Sequence, residues 1–223
     1  MSQCGITAAP AWEEAERGRV IAILICQIVL SIGLASIFLI RPSVTSGAAW
    51  KIVAFIGLCV LPVLCIVGGM NTHVQRSEQT RFCVSCHVMV PYGQSLYVDD
   101  PAHIPAQHFQ NHRVPADMAC YSCHADYTIY GPLNDKLQGL KRIYMQYVTT
   151  PPDPAAIRIS GGFKNAQCLH CHLGARGFEE NPIHAAIKDS LTSEQTSCLT
   201  SGCHDTAHDV ANLSHQKFWR PAQ

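Results

Sequence analysis

The chain has 223 residues, with 16 Lys and Arg against 16 Asp and Glu, zero formal net charge, and 48% hydrophobic residues. That balance excludes a disordered chain and offers no basic surface for nucleic acid. The average hides a division: most apolar residues lie before position 70, while the remainder is rich in Pro, His, Gln and Asp.

Residues 1–19 read as an N-terminal tail or surface helix of mixed charge, with Glu13, Glu14 and Glu16 against Arg17 and Arg19. Residues 20–70 read as a membrane anchor. Within them, residues 20–40 carry no charge and one amide, Gln27, a run long enough to cross the ~30 Å hydrocarbon layer as a helix. It exceeds the ~7–15 apolar residues of a signal-peptide core. Residues 52–70 form a second uncharged run with Pro62 in its middle, where a kink is expected and tolerated. The loop between them, 41–51, has Arg41 and Lys51 as its only charges. The positive-inside rule puts that loop in the cytoplasm and both chain ends outside it.

Residues 71–81 are a polar connector, and everything from 71 to 223 forms the second domain. It holds Cys83-Val84-Ser85-Cys86-His87, Cys120-Tyr121-Ser122-Cys123-His124 and Cys168-Leu169-His170-Cys171-His172. Cys198-Leu199-Thr200-Ser201-Gly202-Cys203-His204 repeats the pattern with two extra residues between the thiols. Cys-x-x-Cys-His is the attachment signature of a c-type haem: the thiols add to the vinyl groups and the imidazole then lies under the iron. A zinc pair, a thioredoxin-like pair or a half-disulfide explains one such motif but not four, each closed by His. Four covalent haems c are expected, and their macrocycles should supply most of the buried apolar surface of the domain. Eight of the 12 cysteines serve these motifs. Cys26, Cys59 and Cys65 sit in apolar runs as small hydrophobes, and Cys4 reads as free. Covalent haem is added on the periplasmic side of bacterial membranes, which agrees with the topology from charge: a cytoplasmic-membrane protein with a periplasmic haem domain.

Frequent prolines, among them Pro91, Pro101, Pro105, Pro115, Pro132 and the Pro151-Pro152-Asp153-Pro154 run, predict loops and short helices. The fold class is therefore mainly α: two transmembrane helices, then a loop-rich multihaem domain. One longer helix is expected over 133–148, where Leu133, Leu137, Leu140, Tyr144, Tyr147 and Val148 recur at helical spacing. Its Lys136, Lys141 and Arg142 lie off that stripe. Such a helix suits the membrane interface, or equally a cover over the haems with its charges outward.

Four haems have eight axial positions. His87, His124, His172 and His204 fill four, and His73, His103, His108, His112, His170, His184, His208 and His215 remain. Bis-His ligation of most haems follows, which fits electron transfer better than substrate binding at iron. Met89 lies two residues after His87 and reaches only the same face of that ring, as a competing ligand or as packing.

These residues resemble the membrane-anchored tetrahaem cytochromes of the NapC/NirT type, which include NrfH, over about 83–210. The similarity rests on the Cys-x-x-Cys-His-x-Met opening at Cys83 to Met89, His108-Phe109-Gln110-Asn111, and Gly131-Pro132 followed by Lys136-Leu137-Gln138. It rests also on His184 and on Cys203-His204 with His208. The resemblance implies oxidation of membrane quinol and delivery of electrons through four haems to a periplasmic oxidoreductase. It implies Met89 at the first haem, and His108, His184 and His208 as distal ligands of the other three. Lys136 keeps a family position and is the candidate for hydrogen-bonding a quinone oxygen.

Three departures stand out. The family usually has one anchor helix, its fourth motif is usually short, and its carboxylate near the first haem would fall close to Arg142; Asp126 or Asp135 is the candidate proton acceptor instead. The extra helix keeps a second reading open, a haem-wire subunit of a larger membrane complex without its own quinone site.

Overall fold

The computed structural model describes residues 11–43, 47–150, 153–157, 159 and 162–220. The first ten residues with Cys4, the centre of the basic loop at 44–46, and Pro151 and Pro152 lie outside them. Among the described residues the structure is helical, with one isolated antiparallel bridge between Val98 and Phe218. It divides into two compact units, Met1–Arg76 and Ser77–Gln223.

The first unit holds α1 (Ala11–Ile40), α2 (Ala48–Phe55), a π-helical segment (Ile56–Val60) and α3 (Leu61–Ser77). Gly18–Ile40 and Ala48–Ser77 are long and apolar enough to cross a membrane. Part of the expected tail therefore belongs to a helix, since α1 begins at Ala11. The expected kink takes the form of the π segment just before Pro62. Proline has no N–H to return to the preceding turn, and the ladder slips so that Leu61 N–H bonds Ile56 O, five residues back.

Helix α1 satisfies the loosened region. Ser31 Oγ donates to Gly57 O at 3.0 Å and Gln27 Nε2 to Leu61 O at 3.1 Å. Gly57 lets Leu34 pack close, since a Cβ there would stand 2.4 Å from Leu34 Cδ1 and displace the end of that side chain. The polar connector is shorter than expected: residues 71–77 lack Gly and Pro, and α3 runs through them to Ser77.

The second unit is a string of short helices: α4 (Thr80–Cys83), α5 (Val90–Ser95), α6 (Ile104–Gln110), α7 (Ala119–His124), α8 (Gly131–Val148), α9 (Asn165–His172), α10 (Arg176–Glu179) and α11 (Pro182–Thr192). Its buried apolar cluster is Val98, Ala106 and Leu213, far too little to support a domain of this length. Hydrogen bonds do much of the joining. Thr80 Oγ1 donates to Ala116 O at 2.9 Å and accepts from Ala119 N–H at 2.8 Å, which ties α4 to α7. The C-terminal segment lies along the α5–α6 loop through Asp99 N–H to Lys217 O and Trp219 N–H to Tyr97 O, both 2.8 Å.

Candidate haem-binding site

Each strict motif sits where helical geometry brings its three chemical groups together. Cys120, Cys123 and His124 span the last turn of α7, and Cys168, Cys171 and His172 end α9. Residues three and four apart share a helix face, so the thiols and imidazole of each motif converge on one side. In the first motif Cys83 ends α4 and His87 opens a 3₁₀ turn, His87–Met89. The long fourth motif reaches a similar closure differently. Gly202 adopts φ +83°, a left-handed conformation that favours glycine, and the two extra residues loop out. His204 N–H then bonds Cys198 O at 3.1 Å, closing the motif on its first cysteine as an α-turn would.

The sulfurs of consecutive motifs lie near one another, in hydrogen-bond contact for the first and second motifs and for the third and fourth. Cys120 donates its S–H to Cys83, lowering the Cys83 thiol and raising that of Cys120. Cys168 is likewise hydrogen-bonded to Cys198, and Cys123 lies within electrostatic reach of Cys171. Thioethers do not titrate, so what survives haem attachment is this proximity: first to second, second to third, third to fourth.

Buried Asn165, in the first turn of α9, fixes the last of these contacts. Its Nδ2 donates to Leu191 O at 2.8 Å and Thr196 O at 2.6 Å, and its Oδ1 accepts from Cys198 N–H at 2.8 Å.

Three motif histidines face three others. Ring centroids are 6.3 Å apart for His124 and His208, 5.9 Å for His172 and His108, and 6.1 Å for His204 and His184. A metal–imidazole bond is about 2 Å and the nitrogen lies about 1.1 Å from the ring centroid, so two rings trans on one metal stand about 6 Å apart. All three separations fit an iron between the rings. The interplanar angles differ: 17°, 83° and 42° respectively. Among the described residues no imidazole faces His87 in this way.

Two of the three distal imidazoles have a bonded outer nitrogen, while His184 Nδ1 is buried without a partner among the described residues. His108 Nδ1 donates to Ile104 O, one turn earlier on α6, at 2.9 Å. His208 Nδ1 lies 2.7 Å from Ser95 Oγ, whose own proton goes to Tyr92 O at 2.6 Å. Ser95 must therefore accept from His208, leaving Nε2 of both imidazoles with a free lone pair for metal. Burial, then the neighbouring His124 and His103, lowers the His208 imidazole to about 4, which keeps it neutral as a ligand must be. Phe178 stacks on His184 at 4.8 Å and fixes its ring.

His103, which the motifs did not single out, is 1% exposed, has neither ring nitrogen bonded, and lies 6.4 Å from the His208 ring. An unbonded buried polar group costs about 1–3 kcal/mol. Its missing partner and the thin apolar core both fit a large prosthetic group between these residues. Among the described residues no three His, Cys, Asp or Glu side chains gather as a metal site, unlike the four-ligand sets of structural zinc.

A separate polar cluster adjoins the first two motifs. Lys136 Nζ donates to Ser77 Oγ at 2.7 Å, lies 3.4 Å from Glu78 Oε1, and stands 5.2 Å from the Tyr121 ring centroid. Asp135 Oδ2 accepts from Asp126 N–H at 3.0 Å, and Asp135 also accepts from the Tyr121 hydroxyl. Burial, then the charges of Glu78 and Asp135, push that phenol up to about 12. Asp126 is turned elsewhere: its Oδ1 caps Thr128 N–H at 3.0 Å in an exposed turn, which lowers its carboxyl. Glu78 was missed in the sequence, although it is the one acidic residue between the second apolar run and Cys83.

Comparison with known proteins agrees with this arrangement. The profile described as NapC/NirT cytochrome c family, N-terminal region, matches residues 45–213. The chain is similar to the cytochrome c-type protein TorC of Escherichia coli K12, 25% identical over 194 residues, covering 78% of this chain and 45% of TorC. It is similar to the cytochrome c-type protein NapC of the same strain, 23% identical over 165 residues, covering 66% of this chain and 76% of NapC. NapC of Haemophilus influenzae is 22% identical over 161 residues, with coverages of 66% and 75%. The chain thus spans less than half the length of the TorC protein it matches. No solved structure matches.

Proposed function

Because the chain belongs to the NapC/NirT cytochrome c family, we propose that it is a tetrahaem quinol dehydrogenase that passes electrons from membrane quinol to a periplasmic redox partner. As a member of that family it is a membrane-anchored multihaem c-type cytochrome of electron transfer.

In this reading Cys83 and Cys86, Cys120 and Cys123, Cys168 and Cys171, and Cys198 and Cys203 hold four haems. His124 with His208, His172 with His108, and His204 with His184 would hold three of the haems, and Met89 or His87 would hold the first. Once bound, the haems supply one-electron carriage. The chain's part is to set their order, by keeping the sulfurs of each motif near those of the next. The three paired imidazoles are the observation that carries the electron-transfer reading, because two imidazoles on each of these haems would leave no place for a substrate at the metal.

Quinol oxidation releases two protons with its two electrons, so groups that accept protons must adjoin an electron acceptor. Lys136 is assigned to hydrogen-bond the quinone oxygen, with Glu78 and Asp135 as acceptors. Tyr121, held protonated, donates to Asp135 and orients it. Asp126 serves the turn instead.

Electron paramagnetic resonance of the oxidised full-length protein tests the axial sets. The 83° pair should give a highly anisotropic low-spin signal, and the 17° pair an ordinary rhombic one. The absence of both types would overturn the ligand assignment. The quinol reading is tested by reducing the purified protein with a quinol analogue.

A haem-wire role in a larger membrane complex is the second reading. It is favoured by α1, which lies outside the family-matched segment and is bonded to the helix that follows. Complete reduction by dithionite with none by quinol would select it.

A further inference from the structure

Two of the junctions between consecutive motifs are tied both by sulfur and by a buried side chain. Cys83 and Cys120 are hydrogen-bonded, and Thr80 joins α4 to α7. Cys168 and Cys198 are hydrogen-bonded, and Asn165 joins α9 to the Cys198 loop. Between the second motif and the third, Cys123 and Cys171 are within electrostatic reach of each other, and other groups make the tie.

The chief of these is Tyr127. Its hydroxyl donates to Ser122 O, inside the second motif, at 2.7 Å. Its ring stacks on that of His170, inside the third, with centroids 3.7 Å apart and planes 7° from parallel. The same side chain lies within electrostatic reach of both Cys123 and Cys171. Gln167 adds a second link, from Nε2 to Ala125 O at 3.3 Å. The loop that carries Tyr127 is itself seated on α8: Asp135 accepts from Asp126 N–H, and Gly131 packs so close that a Cβ would stand 1.7 Å from Asp126 O.

Haem attachment leaves this contact in place. A helix advances about 100° per residue, so the two cysteines and the histidine of a motif share one face, while its third residue lies about 200° from the first cysteine, on the other side. Ser122 and His170 are the third residues of their motifs, in α7 and α9. The groups that hold the macrocycles and the groups that hold one motif to the next thus use opposite sides of the two helices.

We propose that Tyr127 and His170 form the clasp that sets the second haem against the third, and so governs how fast an electron crosses between the first two haems and the last two. This deepens the tetrahaem reading and rests on it. It gives His170, which ligation leaves unused, a place in the work of the chain.

The test uses the full haem-loaded chain in detergent. Pulse radiolysis delivers less than one electron per molecule, and absorbance in the haem α-band then follows how fast that electron spreads among the haems. Tyr127→Ala and His170→Ala should each slow this redistribution several-fold, and the double variant no further than the slower single one, because both break one contact. His170→Phe keeps a ring for Tyr127 to stack on and should restore most of the rate. In every variant haem content should match that of the unsubstituted chain, as should the paramagnetic resonance signals of the second and third haems, which the 17° and 83° imidazole pairs set apart. An unchanged rate would overturn the proposal. So would loss of either signal, which would make the clasp a support for ligation instead of for spacing. An unsubstituted chain whose second or third motif proves free of haem by peptide mass fails the tetrahaem reading itself, and the proposal with it.

Discussion

Replacing Asn165 by alanine removes one side chain and strands three backbone groups. The Leu191 carbonyl is in a buried bond, whereas the Thr196 carbonyl and Cys198 N–H are half-buried. A buried group left unsatisfied costs about 1–3 kcal/mol, and a hydrogen bond that water replaces in part costs about 0.5–1.5 kcal/mol. One of the former and two of the latter give a loss of about 2–6 kcal/mol. The loss falls on one place, because these bonds seat the Cys198 loop on α9 beside Cys168. Asn165→Ala should therefore loosen the third and fourth haems relative to each other while leaving the first two undisturbed. Urea titration followed in the Soret band, with hydrogen exchange mapped by peptide, reads both effects. A loss below about 1 kcal/mol, or loosening spread evenly over all four motifs, would refute the role given to Asn165.

Other outcomes follow from single contacts. Ser95→Ala leaves His208 Nδ1 without its acceptor and should shift the spectrum and potential of one haem, read by redox titration, with the other three unmoved. Met89→Leu should likewise alter one haem only, and a different one. Glu78→Gln should slow reduction by a quinol analogue several-fold in stopped-flow measurements while dithionite reduction stays complete; an unchanged rate removes Glu78 from the site. Gly131→Ala drives a methyl into the Asp126 carbonyl, backbone against backbone, and should cost about 1–3 kcal/mol. It should also open Lys136 and Lys141 to trypsin.

What could be read from the sequence is what is local. A thiol, its partner and an imidazole within five residues declare themselves, as do uninterrupted apolar runs and a helical repeat in 133–148. The axial partners could be named as a set through family resemblance, yet which histidine faces which motif depends on chain segments meeting across the whole second unit. His208 reaches His124 only because Ser95 and Tyr92 hold it there. The orientation of α8 was equally hidden: periodicity defines two faces and does not say which one turns inward. That depends on Gly131 and Asp135 meeting the Asp126 backbone. Glu78 escaped because it lies in what reads as a connector, and its meaning comes from Lys136, far along the chain. The long fourth motif was read by its ending alone; the role of Gly202 in looping out the extra residues became visible only as a backbone conformation.

The bonds from Ser31 and Gln27 to the π segment bear on how the anchor is built and inherited. Lipid offers no hydrogen bond to a loosened carbonyl, so α2 and α3, in the half of the anchor nearest the family pattern, would enter the bilayer at a disadvantage without α1 beside them. The two helices should therefore be inserted by the translocation machinery as one hairpin. The additional helix is also not a removable appendage: a descendant that lost it would have to restore a regular α-helical ladder around Pro62 in the same step. The π turn thus couples two changes that would otherwise be independent in evolution, and it explains mechanically how an optional helix becomes obligatory.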